Sequence, residues 1–523
     1  MRLSRRLILG SAILAAAVLV CAVFVAVRLR DGTVKRRVTA ALAEHLNSDV
    51  TIDTLSVSFF PSVRVIGTGL VIRRHNDPPD RTLITATRFV VEPGLWHLLE
   101  GRARQVEMEG LRFTIPRRPP GRPRLIEEAA DDMPTAAPRP QRPVRPDGVH
   151  ATLERLIARD AELIYISSRA DGPTRVFNVS DVELIEVSFE YPMEFRAVLA
   201  NPSPKGRLEA SGSFGPFDPK DPGSSPVEGG YEFTDGDFNS IPGLEGAITS
   251  RGLFDGQLDQ MQVDGTTDTG NFKLDAAGHA LPLRTEFRAI VDGTDGDIRL
   301  THMDARLADS AFTATGTITG VPGVLGKRIA LDVEVPAGRV EDFLKLALPA
   351  SRPLMAGDVT LITSFVLPPG DTPAIDRVEL AGRIGVTDAS FSSRATQARV
   401  RELSRRAQGK PADTPLERAL MGLAGRFTYA RGVARFSSLT FRTAGAAIGV
   451  RGTYTLASGA LNFNGTARFD AKVSKVVGGV KGFFLKVADP LFRDKGTSVV
   501  PITITGTHDA PRASVNMRRV FGR

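Results

Sequence analysis

Hydrophobic and polar residues alternate along most of this chain, and one seven-residue pattern recurs within the alternation. It has an apolar residue, then an apolar or small residue, then a glycine and usually a closing apolar residue, each separated by one variable position. Copies begin at Leu208, Phe312, Val378, Ile448, Leu461 and Ile502. Alternation with a period of two places an apolar row on one face of a β-strand. The pattern therefore predicts strands, and its glycine predicts a bend or a bulge in each of them.

Many strands with one apolar face predict a mainly β fold, built on a long, curled and largely antiparallel sheet. The copies are irregularly spaced, which argues against a solenoid of fixed period. A few short helices are predicted, among them residues 340–348 and 395–409. Residues 472–487 form a third, with an apolar stripe and lysines away from it. Packing on the sheet is the simpler interpretation of this stripe, and a position in a membrane interface is the alternative.

Residues 7–27 form an uncharged, mostly apolar segment near the amino terminus. Its length matches the roughly 20 residues that cross a hydrocarbon core. A cleaved signal peptide is the alternative, but its apolar region is normally about 7–15 residues long and ends in a small-x-small site. The segment has no good site of that kind, so we predict an uncleaved transmembrane helix. Flanking positive charges alone slightly favour a body on the cytoplasmic side, but long domains translocate largely regardless of charge. A large β-rich body without a second apolar span favours export.

A proline-rich segment divides the remaining chain. Residues 116–146 contain nine prolines and many arginines, a composition typical of an extended linker. The predicted organisation is a cytoplasmic stub and anchor at 1–30, an amino-terminal region at 31–115, a linker at 116–148 and a β-rich body at 149–523.

The chain lacks the residue patterns that most enzymes carry. Its seven histidines are scattered and form no H-E-x-x-H motif, and no G-x-S-x-G motif is present. The aspartates near Asp292 fit a hairpin turn better than a calcium loop. Cys21 is the only cysteine, which excludes an intrachain disulfide. We expect neither catalysis nor a cofactor or metal.

The formal net charge is +8, and a basic balance of this kind can indicate nucleic acid or anionic lipid as a partner. Much of the excess lies in the amino-terminal flanks, the linker and the carboxyl-terminal tail. No stacking aromatic residues alternate with the basic ones, so we expect no binding of nucleic acid.

Several segments, in order, resemble the AsmA-like proteins of the Gram-negative inner membrane. After the apolar segment, residues 50–61 read VTIDTLSVSFFP and residues 69–72 read GLVI. Residues 106–113 read VEMEGLRF, and residues 500–511 near the carboxyl terminus read VPITITGTHDAP. The family often has Gly-Arg before its first strand, where this chain has Asn47-Ser48. The resemblance covers nearly the whole chain apart from the linker.

This resemblance implies a single-pass inner-membrane protein with its body in the periplasm. AsmA-like proteins are related to bridge-like lipid transfer proteins, in which a taco-shaped sheet presents a continuous apolar groove. The implied function is movement of phospholipids between the inner and outer membranes and maintenance of the outer membrane. The implied partners are membrane phospholipids and, in second place, envelope proteins. An older description of the family, regulation of protein targeting to the membrane, is kept as an alternative in the form of an envelope scaffold.

The candidate groove residues are apolar positions in clean alternating runs. They are Val57, Phe59, Leu111, Phe113, Phe312, Ile448, Leu461 and Phe463. The competing interpretation makes the same row a sealed core. An aspartate placed in the row separates the two, because a charge unfolds a sealed core whereas a carboxylate in an open groove reaches water.

Overall fold

A computed structural model provides the coordinates of the chain. It describes residues 35, 36, 39, 40, 43, 48–58, 64–74, 82–92, 103–115, 143–146, 153–165, 175–188, 190–217, 221–274, 279–321, 324, 326–348, 353–408, 422–469, 493–494, 497–508 and 510–515. The predicted transmembrane segment at 7–27 and the predicted helix at 472–487 lie outside these residues. Among the described residues, no helix is both long and apolar enough to cross a membrane.

The fold is mainly β, as the alternation predicts. The first strands are β1 (Ser48–Thr51), β2 (Thr54–Ser58), β3 (Arg64–Arg74), β4 (Ile84–Glu92), β5 (Ala103–Glu109), β6 (Arg112–Ile115), β7 (Leu153–Tyr165), β8 (Arg175–Val187), β9 (Met193–Pro202), β10 (Lys205–Phe214), β11 (Pro226–Asp237), β12 (Leu244–Glu245), β13 (Ala247–Gln257) and β14 (Gln260–Leu274). The later strands are β15 (Leu281–Val291), β16 (Ile298–Leu307), β17 (Ser310–Gly320), β18 (Lys327–Arg339), β19 (Met355–Leu367), β20 (Glu379–Phe391), β21 (Gly422–Ala430), β22 (Val433–Thr443), β23 (Ala446–Thr455), β24 (Ala460–Phe469), β25 (Arg493–Asp494), β26 (Thr497–Thr507) and β27 (Pro511–Val515).

Three described α-helices interrupt the later strands. They are α1 (Val340–Ala347), α2 (Ala374–Arg377) and α3 (Arg394–Ala407). The helices α1 and α3 confirm the predictions for residues 340–348 and 395–409, whereas α2 was not anticipated. Short 3₁₀ turns occur at Pro222–Ser224 and Phe238–Ser240.

The chain divides into two compact units. The first comprises Met1–Thr234, Arg251–Val263 and Ile290–Gly296, and the second comprises Asp235–Ser250, Asp264–Ala289 and Asp297–Arg523. The predicted boundaries at residues 30, 115 and 148 divide the chain by sequence composition and not by contacts, and they stay a prediction.

In the first unit, strands β1 to β10 form a mixed sheet. β1 and β2 both pair with β3, and most neighbouring strands run antiparallel. β7 is the exception, because it pairs in parallel with β5 and β6. Buried residues line one face of this sheet, in clusters around Leu70 and Phe89 and around Ala158 and Val179.

In the second unit, strands β16 to β24 pair antiparallel in chain order, and β26 and β27 continue the sheet. Val335, Val359 and Val386 form the centre of a buried cluster near one end of these strands. Side chains of α1 and α3 pack against this cluster. A hydrogen bond connects α1 to β17: the Asp342 carboxylate accepts it from the Ser310 hydroxyl at 2.8 Å.

Candidate functional site

The strand register of the second unit aligns apolar side chains into transverse rows. Because successive side chains point to opposite faces of a strand, residues that pair across neighbouring strands share one face. One row contains Met303, Ala314, Val333, Thr363, Gly382, Phe427, Phe436, Gly452, Phe463 and Ile504. The next row contains Val335, Leu361, Ile384, Gly425, Leu439, Val450, Gly465 and Ile502.

Two further rows flank these. One contains Leu300, Gly316, Leu331, Phe365, Leu380, Tyr429, Ala434, Tyr454 and Leu461, and the other contains Val359, Val386, Leu423, Phe441, Ile448, Ala467 and Val500. The four rows together are named the apolar face. None of these row positions holds a charged residue. The apolar face therefore continues across strand after strand.

Glycines on the apolar face lie very close to the neighbouring strand. A Cβ atom built on Gly465 would lie 2.0 Å from the carbonyl oxygen of Gly449, and one built on Gly452 would lie 2.0 Å from that of Asn462. Gly382 is in the same situation, 2.2 Å from the carbonyl oxygen of Ile362. Any larger residue would collide with this backbone unless the strands separate. The glycine of the recurring pattern therefore allows a close backbone approach within the sheet.

Aromatic rings lie next to one another across three strands. The ring centroids of Phe427 and Phe436 are 6.2 Å apart, and those of Phe436 and Phe463 are 5.9 Å apart. Tilted rings at this distance interact favourably, in addition to the stabilisation that comes from the apolar area they bury. Phe463 is buried, with 5% of its surface exposed, whereas Phe427 and Phe436 are partly exposed.

Burial varies over the apolar face. Near one end, the valine cluster beneath α1 and α3 is closed to solvent. Near the other end, Tyr429 and Leu367 are buried with α2 residues, and the Tyr429 hydroxyl donates a hydrogen bond to the carbonyl of Ile375 at 3.1 Å. Between them, large apolar side chains remain partly exposed. These are Leu361, Ile384, Phe427, Phe436, Leu439, Ile502 and Ile504.

The structure assigns the predicted groove residues to both units. Phe312, Ile448, Leu461 and Phe463 belong to the second unit, where Ile448, Leu461 and Phe463 occupy three different rows of the apolar face. Phe312 packs against the valine cluster. Phe59 lies outside the described residues.

The remaining predicted groove residues lie in the first unit, on the apolar side of its sheet. Val57 pairs with Val65, which continues into Val91 and Val106 on the following strands. Leu111 packs against the clusters of buried residues. The Phe113 ring lies 5.9 Å from that of Phe217.

Sequence reasoning did not single out Phe427 and Phe436, although they occupy the middle of the apolar face. Alternation from Leu423 to Tyr429 is visible in the sequence and could have identified Phe427. Phe436 lies beside an irregularity between β22 and β23, where Ser437 and Ser438 interrupt the period of two. A β-bulge of this kind hides the phase of the strand from a pattern search.

Acidic residues are unevenly distributed among the strands of the two units. In the first unit, arginines are matched by carboxylates across strands, for example Arg88 with Glu109 at 2.9 Å and Arg155 with Glu183 at 3.0 Å. The Arg207 guanidinium, through a hydrogen bond and its charge, lowers the pKa of Glu209. In the second unit, Arg284 and Arg288 are likewise matched by Asp268 and Asp264. Its strands β21 to β24 and β27 contain arginines but neither aspartate nor glutamate, and β26 contains no charged residue.

Within the described part of the chain, no group of histidine, cysteine, aspartate and glutamate is arranged to hold a metal ion. In comparisons with known proteins, no family model, no curated protein and no solved structure matches this chain.

Proposed function

We propose that this chain binds phospholipid acyl chains along the apolar face and moves phospholipids between the inner and outer membranes. The observation that carries the proposal is the uncharged apolar face, on which large side chains of β19 to β22 and of β26 are partly exposed, while Val450 on β23 and Phe463 on β24 are buried. Neighbouring apolar side chains that all keep some solvent contact are typical of a surface that receives an apolar ligand. The resemblance to AsmA-like proteins supports the same function, with a periplasmic body anchored in the inner membrane.

The energetic need for such a surface is large. Each methylene group that leaves a bilayer for water costs about 0.8 kcal/mol, so a 16-carbon chain costs about 12 kcal/mol. Rows of apolar side chains lower this cost without any chemical step. In the proposal, the sheet curls toward the apolar face to form a groove, and Gly382, Gly452 and Gly465 allow the curl because they let neighbouring backbone approach.

The second candidate is an envelope scaffold with a sealed core that displays its polar surfaces to partner proteins. The buried valine cluster favours it, because Val335, Val359 and Val386 are each at most 2% exposed. In this alternative, the partly exposed side chains of the apolar face belong to a core that is incompletely covered, and no lipid binds there.

Photo-crosslinking in the intact chain separates these functions. A benzophenone amino acid at Phe436 reports on the apolar face, and the same group at Arg435 is a matched control on the opposite face of the same strand. The full chain, expressed in a Gram-negative host, should give phospholipid adducts at position 436 and none at position 435. Equal lipid labelling at both positions, or labelling at 436 that contains only protein, would contradict lipid binding.

A further inference from the structure

We propose that the polar face of the second unit carries a binding site for a phosphate group, formed by Arg383 and Arg426. An open depression of about 420 Å³ lies over strands β19 to β22. The two arginines line it and are directly opposed across β20 and β21. Gly385 and Ala424, which pair with each other two residues further along these strands, have little or no side chain and leave space beside the two arginines.

The pairing of Arg383 with Arg426 is electrostatically unfavourable without a ligand. Like charges directly opposite each other in a sheet are destabilising. Among the described residues, neither arginine makes an ion pair with a carboxylate. On the transverse row of Arg383 the nearest carboxylate is Glu334, and Ile362 lies between them. Within the described part of the chain, the two positive charges therefore have no acidic partner, and an anion would supply one.

A depression in the first unit also contains two arginines and serves as a comparison. That depression, of about 570 Å³, is lined by Arg196 and Arg251 together with Glu209 and Glu232. Arg196 lies 3.6 Å from Glu209. There the arginines have acidic residues in the same depression, so no excess positive charge remains to attract an anion. Only the first of these two depressions has arginines without acids among its lining residues.

The surrounding groups favour phosphate among anions. Guanidinium groups present planar pairs of N–H donors that match phosphate oxygens. Ser438 and Thr440 line the same depression and their hydroxyls are further donors, whereas the Thr360 hydroxyl donates to the carbonyl of Gly385 at 3.5 Å. The aromatic residues of β21 to β24 lie on the same side of the sheet as the apolar rows, so the polar side of these strands lacks the stacking surface that single-stranded nucleic acid requires.

Two sources of the phosphate group fit this chemistry: a lipid headgroup and a free phosphate compound. Ile362 lines the depression with 39% of its surface exposed. Its side chain offers an apolar contact for the glycerol and first methylene groups of a lipid, which a free phosphate lacks.

Thermal unfolding of the full chain in a non-ionic detergent tests the site. Saturating inorganic phosphate should raise the Tm of the wild-type chain by about 2 °C above sodium chloride of equal ionic strength. The shift should disappear in Arg383→Gln and in Arg426→Gln. It should persist in Arg435→Gln, because Arg435 is an exposed arginine of the same face that is opposed by threonines. Both site variants should unfold at or above the wild-type Tm in chloride, since each removes a repulsion.

A second set of titrations identifies the source. Glycerol 3-phosphate and dihexanoyl phosphatidic acid are compared on the wild type and on Ile362→Ser. At least tenfold tighter binding of the lipid, lost in Ile362→Ser, identifies a headgroup site, and equal binding identifies a soluble phosphate compound. The proposal is overturned by phosphate shifts that are equal in all variants, by no shift in the wild type, or by tighter binding of an oligonucleotide than of glycerol 3-phosphate. None of these outcomes depends on whether lipid occupies the apolar face.

Discussion

At the scale of single residues, the glycines of the recurring pattern are structural requirements and not merely gaps in the apolar row. The available space differs between glycines of neighbouring strands. A Cβ on Gly465 would collide with the backbone of β23, whereas a Cβ on Gly449, on β23 itself, meets nothing within 4 Å. Both positions hold glycine and lie on the paired strands β23 and β24, so alanine substitutions at the two positions form a matched pair.

We predict that Gly465→Ala destabilises the second unit by about 2–4 kcal/mol, because the strands must separate to admit the methyl group. Gly449→Ala should change the free energy of unfolding by less than about 0.5 kcal/mol, or stabilise slightly through lower unfolded-state entropy. Denaturant unfolding of both variants measures the difference. Equal stabilities would show that the close approach at Gly465 is not maintained in solution.

Tyr429 is a second residue whose environment makes a measurable prediction. Burial, followed by the charge of the Asp376 carboxylate, raises the pKa of Tyr429 above 10.0. A group with a raised pKa stabilises the fold fully below its unfolded pKa and loses that contribution as the pH rises through the folded value. We therefore expect stability to fall above about pH 10 in the wild type, and this part of the fall to vanish in Tyr429→Phe.

Near neutral pH, Tyr429→Phe should cost about 0.5–1.5 kcal/mol, because the carbonyl of Ile375 loses its hydrogen bond. Unfolding curves at several pH values check both parts of the prediction. A variant with the same alkaline loss as the wild type would exclude Tyr429 as its source.

At the scale of strands and helices, much of the architecture follows from local pattern. Alternation correctly predicted β-strands, and amphipathic spacing correctly predicted α1 and α3. Pairing across long stretches of chain was not predictable, and the parallel contacts of β7 with β5 and β6 are the clearest case. Asp160 and Asp388 also break the period of two. Both have a positive φ, a conformation that is usual for glycine, so the sequence does not mark these irregularities.

The candidate site was predictable only in part, because it also depends on contacts between segments that are distant in the sequence. The sequence shows which residues form apolar rows, but burial depends on what packs above each row. Phe463 and Ile448 have equally clean alternation, yet Phe463 is buried and Ile448 is partly exposed. Likewise, the opposition of Arg383 and Arg426 depends on strand register and is invisible in the sequence.

This difference in burial allows a sharper test of the apolar face. Phe463→Asp should destabilise the second unit by about 3–5 kcal/mol, because it removes a packed ring and buries a carboxylate. Ile448→Asp should leave the chain folded, since its carboxylate can reach water, but should reduce the phospholipid that co-purifies with it. Thr466→Asp introduces the same charge on the exposed opposite face of β24 and is the control.

Circular dichroism and lipid mass spectrometry on the purified full chain provide the two measurements. Unfolding of both row variants, with Thr466→Asp intact, would favour the sealed core of the scaffold alternative. Folded Ile448→Asp with undiminished lipid would exclude a lipid contact at that position.

At the scale of the whole molecule, a lipid-transfer function requires that the two faces of the sheet meet different surroundings. The apolar rows suit acyl chains, and the arginines of the opposite face suit anionic groups. Both of these environments exist at a membrane surface. The proposed function therefore depends on where the body lies relative to the inner membrane, which only the resemblance and the predicted anchor indicate.

Val144 offers a position from which to test this location. It is 87% exposed, and the neighbouring Arg145 lies over the ring of Tyr191, with its guanidinium carbon 5.6 Å from the ring centroid. We predict that Val144→Cys reacts with a membrane-impermeant maleimide once the outer membrane is permeabilised, while the inner membrane is intact. The parent for this variant is Cys21→Ser, because Cys21 is the only native cysteine and its replacement removes background labelling. Labelling that appears only after the inner membrane is lysed would place the body in the cytoplasm, where it could not carry phospholipid between the two membranes.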